Sequence, residues 1–192
     1  MASRRHPSPP SEGASPPRAI ARLGRIRAEP FTARIPGSKS YTHRALLLAA
    51  MRPGTTEVVG GLRCDDTDRL AEALAAFGGL SVEPTAGGFR VERERGRLRA
   101  PPEELHLGEA GTPARFLLSF AAGAEGATVL TGAPRLRERP MADLLGTLRS
   151  MGIRCECLGK EGSLPVRVHG GPVTSLEWRV HGGVSSQFTS SL

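Results

Sequence analysis

Serine, lysine and arginine occur together at the start of a predicted helix. Ser38, Lys39, Ser40 and Arg44 follow the turn Pro36-Gly37. The i,i+4 spacing of Ser40 and Arg44 places both on one helix face, where a hydroxyl and a guanidinium can reach the same ligand. Free N–H groups and the positive end of the helix dipole also favour an anion there. The segment therefore predicts a phosphate or carboxylate site, and a capped surface helix with two solvated cations is the alternative.

Three further segments have a similar character. The glycines of residues 108–115 (GEAGTPAR) would let the backbone approach a ligand, unless they form only a tight turn. Residues 135–140 (RLRERP) place Arg139 at a predicted helix start, where a cation is electrostatically unfavourable unless it serves an anion. Ser185-Ser186-Gln187 offers neutral hydrogen bonds or a plain cap. A solvated charge run is the alternative for the arginines.

Cysteine and histidine give no sign of metal or nucleophilic chemistry. Cys64, Cys155 and Cys157 are odd in number and lack the spacing of zinc ligands, which indicates reduced thiols in a cytoplasmic protein. His43 and His106 are isolated, and we interpret them as polar or packing residues.

Composition and charge exclude several classes of protein. The 192 residues are 39% hydrophobic and only 4% aromatic, so the core must consist mainly of Ala, Leu and Val. The longest apolar run, 45–51, is far shorter than the roughly 20 residues of a membrane span. Residues 1–17 form a Pro- and Ser-rich tail that we expect to be disordered. Six arginines and two glutamates before residue 31 contribute +4 of the net +7, which weakens the case for nucleic acid.

Periodicity predicts an α/β protein with the order helix–strand–helix–strand–strand, used twice. The first set runs from the helix at 38–51 to strands near 80–83 and 89–92. Its second helix is predicted to be capped by Asp65-Asp66-Thr67. In the second set, helices open at Gly111 and Pro140, and strands follow at 127–130, 153–157 and 165–168.

The two sets superpose with a period near 72 residues. Arg44 aligns with Arg115, and Thr56 aligns with Thr128. One more period leads to Gln187, at a third predicted helix start. We therefore expect three equivalent helix starts around a pseudo-threefold axis, with the third unit interrupted at the end of the chain.

Four motifs in order resemble the EPSP synthase (3-phosphoshikimate 1-carboxyvinyltransferase) family, over residues 34–192. They are residues 36–46 (PGSKSYTHRAL), 108–115, 137–140 (RERP) and 184–188 (VSSQF). The resemblance implies the N-terminal half of an enzyme built from βαβαββ units in an inside-out α/β barrel. Units would span 37–108 and 109–180, with the start of a third at 181–192. Residues 18–36 would be shared with a C-terminal domain.

The resemblance also implies a reaction and its site. The family transfers the enolpyruvyl group of phosphoenolpyruvate to the 5-hydroxyl of shikimate 3-phosphate, without a metal or organic cofactor, usually as a cytoplasmic monomer that is the target of glyphosate. No nucleic-acid or membrane partner is implied. Lys39 would be catalytic. The residues implied to contact phosphoenolpyruvate are Lys39, Gly111, Arg115, Arg139 and Gln187. Those implied to hold shikimate 3-phosphate are Ser40, Arg44, Ser185, Ser186 and Gln187.

Two departures qualify this expectation. Glu109 stands where many members have Asn. The family's acid/base carboxylates lie in the C-terminal domain, so the chain alone is expected to turn over little or no substrate.

Two other functions are alternatives. A UDP-N-acetylglucosamine enolpyruvyltransferase usually has a cysteine in its active-site loop, whereas residues 133–140 contain none. A non-catalytic anion- or RNA-binding module on the same repeat is the remaining alternative.

Overall fold

The computed structural model describes residues 32–172, 180 and 186–192. The tail at 1–17, nearly all of a strand predicted at 176–180, and Ser185 lie outside this part of the chain. In the part that is described, helices and strands alternate as follows: α1 (Lys39–Met51), β1 (Gly54–Val59), α2 (Asp65–Ala75), β2 (Leu80–Thr85), β3 (Gly88–Arg93), β4 (Leu105–His106), α3 (Gly111–Ala121), β5 (Ala127–Thr131), α4 (Pro134–Arg137), α5 (Ala142–Ser150), β6 (Arg154–Cys157), β7 (Val166–His169) and α6 (Ser186–Ser191).

The strands form two separate sheets. The first has the order β1-β3-β2 and is antiparallel, with Val91 opposite both Thr56 and Val82. The second has the order β4-β5-β7-β6, in which β5, β7 and β6 are antiparallel and the short β4 runs parallel to β5. The mixed α/β class predicted from the sequence is confirmed.

Aliphatic side chains fill the core between helices and sheets. Leu46 of α1, Leu70 and Leu74 of α2, and Leu117 of α3 are completely buried. Most of the remaining buried hydrophobic positions are Ala, Leu or Val, as the low aromatic content predicts. Burying a side chain of this size stabilises the fold by roughly 1.5–3 kcal/mol, so the four leucines together fix how α1, α2 and α3 pack.

The start of α2 differs from the prediction. Cys64 is the N-cap residue, and Asp65 and Asp66 lie in the first turn, where carboxylates favourably face the helix dipole. The hydroxyl of Thr67 accepts a hydrogen bond from the Cys64 backbone N–H over 3.0 Å and donates to the Leu62 carbonyl over 2.8 Å. These two hydrogen bonds tie the start of α2 to the loop before it.

The segment before α5 also differs from the prediction. Pro140 does not open the helix, because α5 begins at Ala142 and Met141 is its N-cap. The Met141 backbone N–H donates to the Gly162 carbonyl over 2.8 Å, and this bond to a later loop sets the helix start. The short helix α4, which the sequence pattern did not predict, occupies part of the arginine-rich run. Arg139 therefore lies in the connection between α4 and α5.

Candidate anion-binding site

Lys39, the first residue of α1, forms an ion pair with the first turn of α2. Its Nζ lies 2.7 Å from Oδ2 of Asp66. The hydrogen bond to Asp66 and the charge of that carboxylate raise the pKa of Lys39 above its ordinary value. About half of the Lys39 side chain is exposed, so its ammonium can also reach a ligand. Sequence reasoning missed Asp66 as a site residue, since it was assigned only a capping role.

Arg44 lies one turn further along α1 and is held on three sides. Its Nη1 donates to the Ser40 carbonyl and its Nη2 donates to the Ser190 hydroxyl of α6, each over 2.9 Å. The guanidinium carbon lies 5.4 Å from the centroid of the Phe116 ring in α3. This is cation–π distance, so Arg44 joins the three helices α1, α3 and α6.

Arg139 packs against the start of α3. A Cβ atom added to Gly111 would overlap Nη1 of Arg139, so the guanidinium occupies space that glycine leaves open. No hydrogen bond or ion pair to this side chain is present among the described residues. A cation at a helix N-terminus faces the positive end of the dipole. An anion bound there would remove that unfavourable arrangement.

Arg115 extends the positive charge along α3. It donates a hydrogen bond to the side-chain oxygen of Gln187, and its guanidinium carbon lies 5.2 Å from the centroid of the Phe188 ring. Burial lowers the pKa of Arg115 below its ordinary value, and the charge of Arg139 lowers it further. The arginines are therefore close enough to repel each other.

Contacts bring several of the predicted site residues together. Arg139 packs on Gly111, Arg115 bonds Gln187, and Arg44 of α1 reaches α6. Ser40 and Ser186 are exposed in the first turns of α1 and α6, and Glu109 is exposed before α3. Sequence reasoning missed Phe116 and Ser190, because no local pattern marks a contact with Arg44. No group of three His, Cys, Asp or Glu side chains that could hold a metal ion occurs in the described chain.

Replacing Gly111 with alanine is expected to move the Arg139 guanidinium, because the new methyl group would overlap Nη1. The fold should remain, since the colliding atom is the end of a flexible side chain. We expect a changed Arg139 Nε–Hε NMR resonance and about tenfold weaker phosphate binding, equivalent to losing one charge-assisted hydrogen bond.

Gly146→Ala is the matched control for Gly111→Ala. An added Cβ at Gly146, in α5, meets no atom within 4 Å. This substitution should leave the Arg139 resonance and phosphate binding unchanged, and it should stabilise the chain by about 0.5–1 kcal/mol. An unchanged Arg139 resonance in Gly111→Ala would contradict the packing described above.

His43 lies beneath the site and is completely buried. Neither ring nitrogen has a hydrogen-bond partner, and the ring meets Phe116 edge-on with centroids 6.5 Å apart. Burial lowers the pKa of His43 below its ordinary value. Asp66 acts in the opposite direction, and the charges of Lys39 and Arg44 lower the pKa further. The interpretation of His43 as a packing residue fits this setting.

The free energy of unfolding is expected to depend on the protonation of His43. Because the folded chain has the lower His43 pKa, stability is fully present above the unfolded value of about 6.5 and is lost as the pH falls through the folded value. The slope for one proton is at most about 1.4 kcal/mol per pH unit. Urea unfolding between pH 7.5 and pH 5 measures it. His43→Leu should flatten the slope, whereas the exposed His106→Gln should keep it. An equal slope in His43→Leu and the wild type would refute the assignment.

The described part of the chain contains no helix with both the length and the apolarity needed to cross a bilayer. Its helices and sheets define an α/β protein, and lysine and arginine side chains lie at or against the starts of α1 and α3. Comparison with known proteins makes the assignment specific. A sequence profile of EPSP synthase (3-phosphoshikimate 1-carboxyvinyltransferase) matches residues 30–192, and the chain belongs to this family.

Curated relatives are similar in sequence to this chain over most of its length. The 3-phosphoshikimate 1-carboxyvinyltransferase of Methanospirillum hungatei is 40% identical over 170 residues, covering 88% of this chain and 39% of the relative. That of Nitrosomonas europaea is 40% identical over 159 residues, covering 83% and 37%. A solved EPSP synthase from Acinetobacter baumannii superposes with a TM-score of 0.73 at 31% identity, over 82% of this chain and 36% of that one. The chain thus spans under two fifths of the length of these relatives.

Proposed function

We propose that this chain provides the shikimate 3-phosphate site, and part of the phosphoenolpyruvate site, of an enolpyruvyl transferase in the shikimate pathway. The observation that carries the proposal is the cationic group around the start of α3, where the Arg139 guanidinium packs on Gly111 and influences the pKa of Arg115. Guanidinium groups match phosphate and carboxylate in shape and charge. Both proposed substrates carry these two groups.

Each proposed contact has a chemical reason. Ser40, Arg44, Ser185, Ser186 and Gln187 would bind shikimate 3-phosphate through hydroxyl, guanidinium and amide donors. Lys39, Gly111, Arg115, Arg139 and Gln187 would surround phosphoenolpyruvate. In this reaction the substrate hydroxyl gives its proton to a base and adds to C2 of phosphoenolpyruvate, while the methylene carbon takes a proton and becomes a methyl group. The resulting tetrahedral intermediate then loses a proton from that methyl carbon as its C2–O bond to phosphate breaks, which restores the double bond and gives the enolpyruvyl product and phosphate. Lys39 and the arginines would stabilise the charge on the departing phosphate.

The finer architecture is also part of the proposal. Helix–strand–helix–strand–strand occurs in both α1–β3 and α3–β7, apart from the short inserted α4. Ser119 and Ser191 share a hydrogen bond of 3.1 Å, and their separation of 72 residues matches the predicted period. These contacts support the repeated βαβαββ units of an inside-out barrel, with α1, α3 and α6 as equivalent helices. In a protein of the relatives' length, further residues would supply the acid/base carboxylates, the whole acting as a cytoplasmic monomer.

Two measurements on the purified chain test the function. Isothermal titration calorimetry should detect saturable binding of shikimate 3-phosphate, and shikimate without its phosphate should bind much more weakly. A phosphate-release assay with phosphoenolpyruvate and shikimate 3-phosphate should give little or no turnover. Absence of binding would overturn the substrate assignment. Robust turnover would overturn the proposal that residues outside this chain supply the acid/base carboxylates. No feature of the described residues favours RNA or a UDP-sugar, and a filter-binding assay with RNA should show no comparable affinity.

A further inference from the structure

Ser190 lies on α6, and its hydroxyl accepts a hydrogen bond from Nη2 of Arg44 over 2.9 Å. The two residues are 146 positions apart in the sequence. We infer that Ser190 is a positioning residue that fixes the Arg44 guanidinium in the orientation that binds shikimate 3-phosphate. This inference rests on the proposed function.

The contacts of Arg44 leave its binding capacity largely intact. A guanidinium group has five N–H donors. One donor goes to the Ser40 carbonyl and one to the Ser190 hydroxyl, so three remain for a ligand. The ring of Phe116 supports one face of the group at 5.4 Å. Ser190 therefore orients Arg44 and leaves donors free for an anion.

Orientation before binding increases affinity. Ordering a long, flexible side chain at the moment of binding costs free energy, and a group that is already ordered avoids most of that cost. Without the Ser190 hydroxyl, Arg44 keeps its contacts with Ser40 and Phe116, but its second terminal nitrogen loses its fixed partner. We expect weaker binding in that case, even though one more N–H is free.

The position of Ser190 is itself fixed by its helix. Phe188 of α6 is buried in the core. The Ser191 hydroxyl donates to the Phe188 carbonyl over 2.8 Å, and Ser119 of α3 donates to the Ser191 hydroxyl over 3.1 Å. Adjacent serines thus have different roles: Ser191 joins α6 to α3, whereas Ser190 reaches Arg44. The pair supplies a matched comparison.

Calorimetry with shikimate 3-phosphate on the full chain separates these roles. Ser190→Ala should weaken binding about fivefold, corresponding to one hydrogen bond to a charged group of modest net strength. Ser190→Thr keeps the hydroxyl and should bind within twofold of wild type. Ser191→Ala should also bind within twofold, although its melting temperature should fall. Wild-type or tighter binding by Ser190→Ala would overturn the inference.

A double-mutant comparison and a ligand-free measurement complete the test. Lysine at position 44 has no second terminal nitrogen, so adding Ser190→Ala to Arg44→Lys should have no further effect on affinity. An undiminished fivefold loss in that background would overturn the inference. In the ligand-free chain, the Arg44 Nη NMR resonances should show hindered rotation that Ser190→Ala abolishes. Rotation that Ser190→Ala leaves unchanged would overturn the inference about Ser190. Failure of the wild type to bind shikimate 3-phosphate would refute the proposed function instead, so the two failures can be told apart.

Discussion

Replacing Arg44 with alanine is expected to weaken the binding of shikimate 3-phosphate by about 100-fold. Arg44 has five N–H donors. Two of them make the hydrogen bonds to Ser40 and Ser190, and the other three remain for a ligand. A bidentate contact with a carboxylate or phosphate uses two of them. Each charge-assisted hydrogen bond contributes about 1.5–3 kcal/mol, and about 1.4 kcal/mol is tenfold in affinity. Calorimetric titration of the purified variant measures the loss.

Arg52→Ala is the control for the loss of charge. Arg52 is exposed at the C-terminal end of the same helix, and its backbone N–H donates to the Ala49 carbonyl. Removing its side chain changes the net charge by the same amount as Arg44→Ala. We expect its affinity to change by less than about twofold, because salt screens exposed charges beyond roughly 10 Å. An equal loss in both variants would show that general attraction, and no specific contact, holds the ligand.

Replacing Phe116 with alanine is expected to lower the free energy of unfolding by about 3–5 kcal/mol. Its ring is only 1% exposed and lies between His43 and the Arg44 guanidinium. The substitution leaves a cavity in the core beside α3 and removes the ring face that the Arg44 guanidinium contacts. Urea unfolding at pH 7.5 measures the stability. Calorimetry on the folded fraction should show weaker binding of shikimate 3-phosphate.

Phe116→Leu separates the two roles of the ring. Leucine keeps much of the buried volume, so the stability loss should be clearly smaller than for alanine. It has no π-face, and the cation–π contact with Arg44, worth roughly 0.5–1 kcal/mol at an exposed site, should be absent. We expect a two- to fivefold loss of affinity. Wild-type affinity in Phe116→Leu would show that the ring acts only through packing.

Local patterns in the sequence predicted most of the helices and most of the strands, but not the short helix α4. The 3.6-residue spacing of Leu144, Leu145 and Leu148 places α5 correctly, because one buried stripe is enough to define it. The start of α5 was wrong by two residues, since it depends on a bond from Met141 to Gly162. The cap of α2 was wrong for a similar reason. The Thr67 hydroxyl lies within hydrogen-bond distance of two acceptors, the Leu62 and Cys64 carbonyls, and the residue types alone do not show which residue becomes the cap.

The candidate site shows the same limit at longer range. Motifs indicate Lys39, Arg44 and Arg139 as candidates, because cationic residues at predicted helix starts suit anions. They do not identify what each side chain touches. Asp66 lies 27 residues from Lys39, and Ser190 lies 146 residues from Arg44. These partners depend on how the helices pack.

An NMR titration of the isotope-labelled chain with shikimate 3-phosphate tests whether the starts of α1 and α6 form the substrate site. We expect saturable chemical-shift changes at Ser40, Arg44 and Gln187, with a single dissociation constant that agrees with calorimetry. Resonances of β6, the edge strand at the end of the second sheet opposite β4, and of α5, which packs against β6, should stay unchanged. Absence of saturable shifts at Ser40 and Arg44, or shifts centred on α5, would contradict the proposal that these helix starts form the substrate site.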